Sequence, residues 1–201
     1  MTDRPIIFSA PMIRALLEGR KSQTRRVLKP QPWLSMAKKW NWEPAGKKRQ
    51  FCTWWDGPPY IQITDAVARD NVGRAIGDRL WVRESFSRRS GCPEWQPWYW
   101  ADGIPPHGQW EGRKPSIHMP RWASRLTLEV TGVKVERLQE IGGEDAIAEG
   151  CAVVGNSPPP LDQFADLWNA IYGPGAWDKN PWVYALAFKV HKIPHPPPES
   201  S

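Results

Sequence analysis

Residues 125–138 read RLTLEVTGVKVERL. Leu126, Leu128 and Val130 alternate with Thr127, Glu129 and Thr131, and after Gly132 the pattern resumes with Val133 and Val135. Successive side chains of a strand point to opposite faces, so this period of two predicts one long half-buried strand. Such a strand presents rows of N–H and C=O groups that other strands must cover. Residues 6–8 (IIF), 24–28, 79–86 (RLWVRESF) and 182–190 are the candidates. In 79–86, Leu80, Val82 and Glu84 share one face, and Trp81, Arg83 and Ser85 share the other. Trp182 and Tyr184 of the last segment read as core.

Three short helices fit between these strands. Ser9 precedes the first as its cap, Pro11 stands in its first turn, Met12, Leu16 and Leu17 form its face, and Gly19 is its stop. GGEDAIAEG is a second, ending at Gly150. Residues 161–172 form a third, with Phe164, Leu167, Trp168 and Ile171 on one side. Strands and helices do not alternate as βαβ units, so the fold class is α+β, a small barrel with flanking short helices in a single domain over 1–193. Two stretches, about 31–73 and 87–115, carry no period and hold Trp33, Trp40, Trp42, Trp54 and Trp55, then Trp95, Trp98, Trp100 and Trp110. Long Trp-rich loops of this kind are expected to be functional lids. Residues 194–201 read as a flexible Pro-rich tail.

The chain of 201 residues has a formal net charge of +6 and 14 tryptophans. A basic balance favours an anionic partner, of which nucleic acid is the commonest. The charge is uneven. Residues 19–41 contain Arg20, Lys21, Arg25, Arg26, Lys29, Lys38 and Lys39 and no acid, whereas 136–166 is dominated by Glu and Asp. Cys52, Cys92 and Cys151 are dispersed, which implies neither a disulfide framework nor a zinc ribbon and fits a cytoplasmic setting. No charged-then-apolar leader is evident, and no apolar run approaches the roughly 18 residues that would span a membrane. The four histidines have no ligand spacing, and no nucleotide-binding glycine loop, HExxH or GxSxG occurs. No metal or cofactor is expected.

Gly19-x-Lys21-x-x-Thr24-x-Arg26, Gly77-Asp78 before a strand, Ala146-x-x-Glu149-Gly150 and a final apolar strand follow one another in order. This set resembles the ASCH domain family, a branch of the PUA-like β-barrels. Through SAPMIRALLEGRKSQTRR, GDRLWVRES, SIHMPRWASR and NPWVYALAF it looks closest to the longer Trp-rich ASCH proteins of phages and prophages. The resemblance implies a barrel that binds RNA or a nucleoside in a pocket under the GxK segment. One branch removes the acetyl group from acetylcytidine with a Lys, a Thr three residues later and a Glu in the A-x-x-E helix. Carried over by motif, these are Lys21, Thr24 and Glu149. That branch is compact and lacks the two Trp-rich insertions, so the substrate can differ. Another ASCH type is a ribonuclease.

The chemistry of these residues leaves the alternatives open. A threonine hydroxyl needs a base, and a lysine serves only when neutral, a form that burial and nearby positive charge favour. Arg20, Arg25 and Arg26 lie within a few residues. The same cluster, with Ser22, is equally a phosphate-holding edge without turnover. Glu149 stands at the negative end of a helix, which disfavours a carboxylate by roughly 0.3–1 kcal/mol unless it pairs, with Lys21 or Arg26 the candidates. A second set joins Trp81, Arg83 and Glu84 with Arg121, Trp122, Ser124 and Arg125. Tryptophan stacks on bases, arginine holds phosphate or guanine, and a carboxylate such as Glu84 accepts from a cytosine amino group. The expected partners are RNA, single-stranded nucleic acid or a modified nucleoside.

Overall fold

The predicted long strand is unbroken through Gly132 in the computed structural model, which describes residues 3–29, 61–62, 72–90, 97–108, 110–152 and 157–193. The Trp-rich stretch 31–60 and the tail 194–201 lie outside the described residues. In chain order the elements are β1 (Asp3–Ile7), α1 (Ala10–Leu17), β2 (Gln23–Val27), β3 (Ile61–Gln62), β4 (Arg79–Arg83), β5 (Phe86–Arg88), β6 (Pro97–Tyr99), β7 (Leu126–Arg137), α2 (Gly143–Ala148), α3 (Pro160–Tyr172) and β8 (Trp182–Lys192). The main sheet has the order β1-β4-β7-β8-β2, with β3 also on β7. The β1–β4 pair is parallel, and the β2–β8, β3–β7 and β4–β7 pairs are antiparallel. The fold is therefore α+β with a mixed sheet. Among the described residues no strand pairing joins the ends of this order into a ring.

Two compact units divide the chain: 1–22 with 77–130 and 188–201, and 23–76 with 131–187. β7 and β8 contribute residues to both. In the first unit Ile13, Ala15 and Leu16 of α1 are buried, as are Leu80 and Val82 of β4 and Leu126, Leu128 and Val130 of β7. A further cluster joins Phe86, Tyr99, Met119 and Ala123. In the second unit the core is Leu138, Ile141, Ala146, Cys151, Phe164, Trp168, Ala176 and Val183.

The glycine stops are where the sequence puts them. At the end of α1, Gly19 has φ +76°, its N–H donates to the Leu16 carbonyl, and the Arg20 N–H donates back to Ala15. Gly150 repeats the pattern after α2 with φ +100°, bonding Ile147, while Cys151 bonds Ala146. Both are Schellman closures, which need the left-handed backbone that glycine adopts freely.

Other expectations meet differences. Ile13, rather than Met12, is the fully buried partner of Leu16, and the Ser9 side chain makes no cap hydrogen bond. Ile171 is 55% exposed, since the buried stripe of α3 is Phe164 and Trp168, one turn apart. Trp182 and Tyr184 are half-buried while Val183 and Ala185 between and beyond them are buried, so the strand faces are the reverse of those expected. The strand 79–86 is broken after Arg83. Part of 87–115, read as irregular, forms a β5–β6 ribbon. Its tryptophans brace this region. Trp100 Nε1 donates to Ser87 Oγ at 2.9 Å, Trp98 Nε1 donates to Gly103 O at 3.1 Å, and the Trp98 and Trp110 rings meet edge to face at 5.9 Å. Three-residue strands are too short to show a period of two, which is why the sequence pattern missed them.

Candidate functional site

The segment GRKSQTRR is parted side chain by side chain. In the first unit Arg20 is exposed and pairs with Glu18 at 2.7 Å. Lys21 is only 2% exposed, and its Nζ lies 5.6 Å from the ring centre of Phe8. Ser22 is exposed, and its carbonyl accepts from the Phe188 N–H. In the second unit Thr24 is 4% exposed and stands opposite Leu186 in the β2–β8 register. Arg26 is half-buried and its charge acts on the Tyr184 phenol, whose pKa burial nonetheless raises.

Arg25 is the centre of a buried cluster. Its Nε donates to Glu136 at 2.9 Å, Nη2 to Asp145 at 2.6 Å, and Nη1 to Glu149 at 3.2 Å and Gln23 at 3.0 Å. Lys134 Nζ reaches the second oxygen of Glu136 at 2.6 Å. Burial works against the guanidinium charge, but Glu149, Glu136 and Asp145 outweigh it and raise its pKa. Glu149 is 3% exposed at the end of α2. The unfavourable helix end is thus offset by an ion pair with Arg25, a partner that the sequence reading did not consider for it. Arg20 and Arg25, expected to favour a neutral Lys21, are each matched by carboxylates. Arg25 was also expected to hold phosphate. Its fork is occupied by protein carboxylates instead.

The second predicted set comes together in the first unit. Trp81 is buried, with the guanidinium carbons of Arg83 and Arg121 at 4.7 and 5.9 Å from its ring centre. Arg83 Nε donates to the Met119 carbonyl, and Arg121 pairs with Asp3 at 2.8 Å near the surface. Trp122 is 38% exposed and has Arg88 at 5.8 Å from its ring centre. Arg113 lies over Trp100 at 5.3 Å. Arg125 lies over Tyr99 at 4.0 Å and grips two carboxylates, each through two hydrogen bonds: Glu84 at 2.8 and 2.9 Å, and Asp102 at 2.6 and 2.8 Å. Burial pushes the Glu84 carboxyl above its ordinary range, and the Arg125 fork works against that rise. Burial also raises the Tyr99 phenol, which stays protonated and donates to the Ala123 carbonyl at 2.9 Å.

Glu84 is one of the residues that line a cavity of about 270 Å³. Ile7, Phe8, Ala10 and Ala101 are its apolar lining, and Ser9, Ser85, Arg113 and Ser116 join Glu84 as its polar lining. Sequence reasoning named Glu84 and Arg125 but missed Asp102, Tyr99, Arg113 and the cavity serines. Ser9 was read only as a helix cap, and Arg113 fell in a stretch without period. Among the described residues no group of three or more His, Cys, Asp or Glu is placed to hold a metal ion, and no helix is long and apolar enough to cross a membrane. No family model matches the chain, and no curated protein or solved structure matches it.

Removing one partner of a buried ion cluster leaves charge uncompensated and costs about 3–5 kcal/mol. Arg25→Met is therefore expected to lower the unfolding free energy at neutral pH by an amount in that range, read as a lower urea midpoint with the slope unchanged. A loss under about 1 kcal/mol would show that the three carboxylates do not depend on this cation.

Proposed function

We propose that this chain is an ASCH-type, PUA-like protein that binds RNA, single-stranded nucleic acid or a modified nucleoside through the arginine- and aromatic-rich part of its first unit. The observation that carries the proposal is the pairing of Arg83 and Arg121 with Trp81, Arg88 with Trp122, Arg113 with Trp100 and Arg125 with Tyr99. Rings offer stacking surfaces to bases and guanidinium groups offer hydrogen bonds to phosphate, the two components of single-strand binding. Arg113, Arg121 and Trp122 are the exposed members of this set. The net charge of +6 supports the same reading. The order of the ASCH-like motifs and the α+β fold support the family assignment, and the dispersed cysteines a cytoplasmic setting.

The test is a titration of labelled single-stranded RNA and DNA at rising salt. The logarithm of the affinity is expected to fall linearly with the logarithm of salt, by about 0.7 per phosphate engaged. Trp122→Ala is expected to lose roughly 1–3 kcal/mol, the value of one stacked base. Binding that ignores salt, or a Trp122→Ala protein as tight as wild type, would contradict the reading.

Amide hydrolysis on an acetylcytidine-like base is the second reading. In it Thr24 supplies the nucleophile, Lys21 the base, and Glu149 the acid or the group that orients it. Its support is the resemblance, and Lys21, Thr24 and Glu149 are each at most 4% exposed. Wild type is expected to convert acetylcytidine to cytidine, and Thr24→Ala is not. Cytidine released by the Thr24→Ala protein, or none released by wild type, would end this reading and leave the binding one.

A further inference from the structure

A cavity of the first unit is lined by one charged residue that is almost fully buried, Glu84 at 2% exposed. We propose that this cavity is a base pocket that selects an exocyclic amino group, with Glu84 as the acceptor of its N–H. The inference rests on the nucleoside- and nucleic-acid-binding reading above and assigns that reading its specificity.

Size is the first argument. About 270 Å³ lies just below the range of pockets for drug-sized ligands, roughly 300–1,000 Å³. It suits one base or nucleoside rather than a length of strand. Shape chemistry is the second. Ile7 and Phe8 offer apolar lining to a planar ring, and Ser9, Glu84, Ser85, Arg113 and Ser116 offer polar lining. The third argument is the state of Glu84. An ionised carboxylate only accepts hydrogen bonds and has about four acceptor positions. Arg125 takes two of them, one on each oxygen. What is left suits single N–H donors. Arg125 is in turn fixed by Asp102 and the Tyr99 ring, so the acceptor is locked in place before a ligand arrives.

Fixed acceptors discriminate. An amino group on the ring donates to Glu84. A keto oxygen in the same place sets acceptor against acceptor. Arg113, beside Ser85 at 3.4 Å, is a donor on the same cavity wall for an acceptor oxygen elsewhere on the ligand.

The experiment is calorimetric titration of the whole chain with two nucleoside pairs that exchange amino for keto: cytidine against uridine, and adenosine against inosine. In at least one pair the amino member is expected to bind about 10- to 100-fold more tightly, the discrimination of one well-placed base contact. Glu84→Gln presents an N–H as well as an oxygen, so the preference should shrink or reverse. Should that variant fail to fold, Ser116→Phe tests the same idea from the cavity wall. It should abolish nucleoside binding in a protein that still unfolds in one cooperative transition. Equal affinities within both pairs, a preference unchanged by Glu84→Gln, or nucleoside binding unchanged by Ser116→Phe would each overturn the proposal. Wild type that binds RNA but no nucleoside would overturn it alone, whereas loss of both would remove the parent reading as well.

Discussion

The guanidinium of Arg125 is the interaction on which the first unit depends. It lies over the Tyr99 ring and satisfies both oxygens of Glu84 and both of Asp102. Glu84 follows β4, Tyr99 ends β6, Asp102 lies three residues further, and Arg125 immediately precedes β7. One cation therefore fixes the ends of three elements at once. Taking such a charge out of water costs several kcal/mol, and the arrangement holds only because its donors meet carboxylates with good geometry. The same contacts fix the carboxylate of a residue that lines the cavity. Stability and the proposed specificity thus rest on one ion cluster.

The second unit solves the same problem with the same excess of one carboxylate. Arg25 and Lys134 face Glu136, Asp145 and Glu149, two cations against three carboxylates. The partners of Arg25 lie 111 to 124 residues away along the chain. Arg25 of the basic stretch meets Glu136, Asp145 and Glu149 of the acidic stretch at this point, so part of the charge that invites a nucleic-acid reading is neutralised internally. The arginines beside rings in the first unit carry that reading better than the GRKSQTRR cluster does.

Local rules were legible in the sequence. The alternation of β7 gave its full length, and Gly19 and Gly150 marked helix ends that need a left-handed residue. Faces were less so. Ile171 and Trp182 are apolar side chains at positions a periodic reading assigns to the core, yet Ile171 is exposed and Trp182 half-buried beneath Arg137, because burial depends on what packs across from them. Charged residues were the hardest. A run of basic residues says nothing of partners a hundred positions away, and the Glu84–Arg125 pair joins residues 41 apart. The cavity was invisible for the same reason: Phe8, Glu84, Ala101 and Arg113 share no motif.

Ultraviolet crosslinking of single-stranded RNA to the whole chain, with the adducts located by mass spectrometry, tests the central claim most directly. The account predicts adducts on peptides within residues 81–125, with Trp122 and Trp100 as the leading sites. Adducts confined to residues 131–187 of the second unit, or none at all under conditions where RNA is bound, would contradict it.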